Sequence, residues 1–181
     1  MNSTRLFLAI DLPETLEACI ARRQQEVRGL RWSAPEQLHL TLAFIGRLGP
    51  EKMVALDEVL SRITLDPFEL QFDRVDTFAH RTLWMGCGPS APIQALHQLL
   101  RESLESVDIA TEKQPFRPHV TLARAQEPLT NAQIRQLETA LLPEPLSMTV
   151  DQFALKNSIL TGKAPLHQVI RLYGERRAEA G

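Results

Sequence analysis

Leu38-His39-Leu40-Thr41-Leu42-Ala43 and Pro118-His119-Val120-Thr121-Leu122-Ala123 are two versions of one stretch. Each reads His, apolar, Thr, Leu, Ala, and each is apolar and β-branched enough to form a strand. Side chains alternate faces along a strand, so His39 and Thr41 point one way while Leu40 and Leu42 point the other. The same holds for His119 and Thr121 against Val120 and Leu122. Each segment thus offers one imidazole and one hydroxyl on one face and a pair of aliphatic side chains to a core. The two copies lie far enough apart to occupy two halves of a duplicated fold. We expect those halves to face each other and the two pairs to form one phosphate-processing site.

The flanking sequence supports an α+β pattern. Arg5 to Leu12 reads as an opening strand, with Leu6, Leu8, Ile10 and Leu12 on a core face and Arg5, Phe7, Ala9 and Asp11 on a mixed one. Asp11 and Glu14 have capping-box spacing around Pro13 and predict a helix carrying Leu16, Cys19, Ile20 and Val27. Trp32 to Pro35 is a connector. Further helices are predicted from Pro50 (Met53, Leu56, Leu60, Ile63), from Ser90 (Ile93, Leu96, Leu100, Leu104, Val107) and from a Thr130–Gln133 cap (Ile134, Leu137, Leu141). Strands are predicted around Phe68–Asp76, Leu83–Gly88, Met148–Leu155 and Gln168–Tyr173. No low-complexity linker interrupts this order, so residues 1–181 read as one bilobal domain, with a charged, frayed tail over 175–181.

Composition narrows the function. A formal net charge of −2 argues against a protein that tracks a long nucleic-acid backbone, though not against a pocket for one phosphate. Two cysteines without a paired motif suit a reducing compartment. The apolar run Leu6–Ile10 is too short to span a bilayer and stops at Asp11, so the expectation is a cytoplasmic protein without a membrane partner.

Imidazole both gives and takes protons near neutral pH. Cleaving a phosphodiester needs a nucleophile deprotonated on one side of phosphorus and a leaving oxygen protonated on the other. Two opposed histidines meet that need, and two threonine hydroxyls donate to the non-bridging oxygens where charge builds. No His, Cys or carboxylate lies beside His39 or His119 at ligand spacing, so neither a metal nor another cofactor is predicted. His80, His97 and His167 read as surface or capping residues. Phe7, Phe44, Trp84 and Phe116 are candidates to stack on a base, and Phe7 and Phe116 are taken as substrate-binding.

His39-Leu40-Thr41-Leu42 and His119-Val120-Thr121-Leu122 resemble the paired HxTx signatures of the 2H phosphoesterase superfamily. With Arg5–Leu12 and Pro115-Phe116-Arg117-Pro118, the chain is similar to its RNA 2',3'-cyclic phosphodiesterases, also called 2'-5' RNA ligases or LigT-like proteins. The resemblance implies a bilobal 2H phosphoesterase fold, with pseudo-symmetric antiparallel sheets lining a central cleft and helices outside. It implies hydrolysis of an RNA 2',3'-cyclic phosphate to a 2'-phosphomonoester, and ATP-independent 2'-5' ligation when a 5'-hydroxyl end replaces water. His39 would be the proton donor, His119 the proton acceptor, Thr41 and Thr121 the phosphate-oxygen ligands. Arg124 matches an arginine that contacts phosphate, with Arg117 as a weaker match. Simple alternation turns Arg124 to the opposite face from His119, so its role requires the strand to end or bend. The alternatives are an esterase on small cyclic nucleotides or an ADP-ribose cyclic phosphate, and a non-catalytic module that holds RNA ends. A monomer is the expected state.

Overall fold

The computed structural model describes residues 5–161 and 165–175; the predicted tail beyond Glu175 lies outside them. The strands are β1 (Arg5–Asp11), β2 (Leu30–Trp32), β3 (His39–Gly46), β4 (Phe68–Phe78), β5 (Thr82–Cys87), β6 (His119–Ala125), β7 (Leu146–Val150), β8 (Phe153–Leu160) and β9 (Pro165–Tyr173). The helices are α1 (Glu14–Arg23), α2 (Pro50–Leu60), α3 (Ala91–Glu105) and α4 (Asn131–Leu141), with a short 3-10 turn over Pro35–Gln37.

All nine strands join one antiparallel sheet in the order β7-β4-β5-β6-β3-β1-β8-β9, with β2 also paired to β6. The two motif strands, β3 and β6, meet at its centre through a single register pair, Leu40 opposite Val120. Three further strands flank the motif strand on each side, so the order is two-fold symmetric about that pair. The chain does not divide into the two predicted halves, however. The β3 side takes β1 from the start of the chain and β8 and β9 from its end. The β6 side takes the middle of the chain.

The reason lies at Asp151-Gln152. One strand was expected over Met148–Leu155, but the pairing breaks there, leaving β7 on β4 and β8 on β1. The short β2 was not anticipated. It covers the part of β6 that β3 leaves unpaired, with Trp32 opposite Ala123, and the Trp32 indole donates to the Gln25 carbonyl.

The core forms where aliphatic stripes meet the sheet. Leu56 and Leu60 of α2, Ile93, Leu96, Leu100 and Leu104 of α3, and Leu137 and Leu141 of α4 are buried, together with Leu40, Leu42, Val120 and Leu122. The periodicity overruns three helix ends: Val27, Ile63 and Val107 lie beyond the last turns of α1, α2 and α3. Thr130 makes the expected capping box with Gln133. Asp11 does not cap α1, whose N-cap is Pro13 with no side-chain bond. Its carboxylate pairs instead with the Lys156 ammonium, which is buried. A buried charge left unpaired costs more than a missing cap, so that demand prevails.

Candidate active site

The face of β3 and β6 opposite the core carries the motif polar groups. His39, Thr41, His119 and Thr121 are all half-buried there, while the residues between them are fully buried. Both histidines are held by the same local device. His39 Nδ1 lies 2.8 Å from the Gln37 carbonyl and His119 Nδ1 lies 2.7 Å from the Arg117 carbonyl. A carbonyl only accepts, so each Nδ1 carries the proton and donates it. Each neutral ring therefore keeps its Nε2 lone pair for chemistry, and protonation converts Nε2 to a donor. The prolines around Phe116 and Arg117 stiffen the backbone that supplies the second carbonyl.

A matched irregularity resolves the parity of Arg124. In β6 the register passes from Thr121 to Ala123 while β5 advances only from Trp84 to Leu83. Leu122 is thus an extra residue, a β-bulge, and Leu122 and Ala123 are both buried. Alternation resumes one residue late, and Arg124 falls on the histidine face. Its Nη1 donates to Thr82 Oγ1 at 3.2 Å. The first motif bulges at the equivalent residue: β3 passes from Ala43 to Thr41 while β1 advances from Leu8 to Ala9. Phe44 is therefore the counterpart of Arg124. It is 55% exposed and its ring centroid lies 6.3 Å from that of Phe7.

The two imidazoles meet different neighbours. His119 has Phe78 edge-on at 5.0 Å and Trp84 at 6.0 Å, and those two aromatic rings stack on each other at 5.2 Å. Gly86 makes room for the indole, since a Cβ there would come within 2.6 Å of Trp84 Cζ3. His39 packs against Phe7 at 5.2 Å and His167 at 4.9 Å. Burial pushes the His39 imidazole down from 6.5 to about 4; the Gln37 carbonyl opposes this, His167 and Lys156 add to it, and Asp11 opposes them. Burial, and then Lys156, also lower His167.

The mixed face predicted for β1 thus delivers Phe7 to the site. The Phe116 ring, expected to bind substrate, stacks flat on His97 of α3 at 4.0 Å. His80 Nδ1 donates to the Leu129 carbonyl at 2.8 Å. His167 is the residue that sequence reading missed. Its place depends on β9 returning to the β3 side, which no local pattern encodes. Among the described residues, no group of three His, Cys, Asp or Glu side chains is placed to hold a metal.

A profile for the 2'-5' RNA ligase superfamily matches residues 12–158. An Archaeoglobus fulgidus protein named RNA 2',3'-cyclic phosphodiesterase is 30% identical over 177 residues, spanning 93% of this chain and 99% of that protein. An Escherichia coli protein of the same name is 36% identical over 132 residues, spanning 70% of this chain and 75% of its own. The crystal structure of E. coli LigT in apo form superposes with a TM-score of 0.79 at 27% identity, covering 98% of this chain and 100% of that one.

Proposed function

Because the chain belongs to the 2'-5' RNA ligase superfamily, we propose that it is an RNA 2',3'-cyclic phosphodiesterase that opens a terminal cyclic phosphate to a 2'-phosphomonoester. The observation that carries this reading is the pair of Nδ1-anchored histidines on one face of the two central strands, each with its threonine and with Arg124 beside them. His119 Nε2 takes a proton from water, the water oxygen bonds to phosphorus, and the bond to the 3' oxygen breaks. His39 Nε2 gives its proton to that oxygen. Thr41 and Thr121 donate to the non-bridging oxygens, and the Arg124 guanidinium offsets their charge. Phe7 closes the His39 side of the cleft. With an RNA 5'-hydroxyl in place of water as the nucleophile, the same forward steps make a 2'-5' bond: the 5' oxygen bonds to phosphorus as the bond to the 3' oxygen breaks.

The His39 environment bears on the order of acid and base. At neutral pH its free ring is uncharged, so as acid it takes up its proton together with the anionic phosphate. That same observation favours a second reading, with His39 as base and His119 as acid. Both orders need one ring protonated and the other neutral, so they give kcat/KM the same pH profile; a substrate with a bridging 3' sulfur separates them, because a thiolate leaves without an acid and restores only the alanine variant that lacks the acid.

The defining experiment is an assay in EDTA on an oligoribonucleotide ending in a 2',3'-cyclic phosphate, with His39→Ala and His119→Ala in parallel. Turnover to the 2'-phosphate that both variants lose by at least about 100-fold supports the reading. Full activity in either variant, or none in the folded wild type, sinks it. Small cyclic nucleotides run alongside test whether RNA is required. No helix among the described residues is long and apolar enough to cross a membrane, and Cys19 and Cys87 are unpaired; both support a cytoplasmic location. We take the active unit to be a monomer, since both histidines and both threonines come from one chain.

A further inference from the structure

The two halves of the site are matched in geometry but not in chemistry. Around His119 the ring neighbours are Phe78 and Trp84, neither of which titrates. Around His39 one of the two ring neighbours is a third histidine. His167 meets His39 edge-on, with centroids 4.9 Å apart and planes at 82°. Phe7 completes the triangle at 5.1 Å from His167 and 5.2 Å from His39.

His167 and His39 also share an anchor. The His167 backbone N–H donates to Gln37 Oε1 at 2.8 Å, while the backbone carbonyl of the same Gln37 holds His39 Nδ1 at 2.8 Å. One residue of the 3-10 turn thereby ties β9 to the ring that leads β3. The His167 Nδ1 atom is buried and has no hydrogen-bond partner among the described residues. Burying an unpaired ring nitrogen is costly, and leaving it there as a cationic N–H costs more. The groups facing His39 are Asp11 from β1, Lys156 from β8, His167 from β9 and the Gln37 carbonyl from the turn. Asp11 is the only anion among them, and it is already bound to Lys156.

We propose that His167 is a positioning residue of the His39 half-site: its ring fixes the plane of the His39 imidazole, and its own protonation is coupled to that of His39. This rests on the two-histidine reading above and holds for either order of acid and base. Two imidazolium rings this close, beside a lysine whose counter-charge is spoken for, repel strongly where water is thin. The pair therefore carries at most one positive charge, and a substrate phosphate decides which ring bears it. Phe7 and His167, whose ring planes stand at 73° to each other, form a corner against which the His39 ring, tethered through Nδ1 to Gln37, has little room to turn.

The test compares wild type, His167→Phe and His167→Ala by two readouts. One is kcat and KM against pH on the oligoribonucleotide cyclic phosphate. The other is an NMR titration of the His39 Cε1–H in the absence of substrate. His167→Phe keeps an aromatic ring against His39 and removes the titrating neighbour, so the His39 midpoint moves up and the acid limb of the pH profile moves with it. His167→Ala removes both, so kcat drops about 10- to 100-fold with KM little changed, as expected when a reacting group loses its orientation. If His167→Ala fails to fold, His167→Gln serves in its place. An unchanged His39 midpoint and an unchanged pH profile in both folded variants would overturn the proposal. Activity in His39→Ala would instead overturn the two-histidine reading, and the His39 midpoint in His167→Phe would still be measurable on its own.

Discussion

Acid should destabilise this protein through His39 in particular. The folded ring titrates at about 4 against 6.5 for a free imidazole, chiefly because it is buried. Above the free value both the folded and unfolded chains hold a neutral ring, and His39 adds no pH dependence. As the pH falls below 6.5, the unfolded chain binds a proton that the folded chain refuses, so unfolding becomes easier. The loss grows down to the folded value and then levels off. At 1.36 kcal/mol per unit of separation, the loss at about pH 4.5 relative to about pH 7.5 is about 2.5 kcal/mol. Urea unfolding at those two pH values, on wild type and His39→Gln, isolates the contribution, because the carboxylates titrate in both proteins and cancel. Wild type should lose about 2.5 kcal/mol more than the variant, with equal m-values. Parallel losses would refute the buried neutral ring. A larger loss in the variant would mean that the folded protein holds His39 charged.

Three further outcomes follow from geometry. Gly86→Ala should cost about 1–3 kcal/mol in thermal or urea unfolding, because the new methyl displaces the Trp84 ring that it would meet at 2.6 Å; an unchanged stability would mean that the indole has room to move. Arg124→Ala should lower kcat/KM about 10- to 100-fold, the worth of a hydrogen bond to a charged group, with Arg124→Lys recovering part of it. Thr41→Val and Thr121→Val should each lower kcat by about 100-fold while leaving the melting temperature nearly unchanged, as loss of an oxyanion donor does.

Much of the site was legible because the motifs are strands and strands alternate. His39, Thr41, His119 and Thr121 could be placed on one face without knowing any neighbour. Arg124 marks where that logic stops. Alternation alone turns it away, and only the register against β5 reveals the extra residue at Leu122. A bulge is a relation between two strands, so one strand's sequence does not announce it. The crossing at Asp151-Gln152 hid for a similar reason: Met148–Leu155 reads as a plausible continuous strand, and its partners alone divide it. His167 then lost its meaning, because its contact with His39 exists only once β9 is known to return to the first half of the sheet. Asp11 was assigned to a helix cap on spacing, while the stronger claim on it came from a lysine far along the chain.

The interleaved path has a consequence for how the protein is made. His39 is synthesised early, but the strands that complete its surroundings, β8 and β9, are the last two of the sheet. The other half, carrying His119, is contiguous from β4 to β7 and can assemble as it emerges. A chain still attached to the ribosome, with β9 inside the exit tunnel, has His119 in place and His39 without Lys156 or His167 beside it.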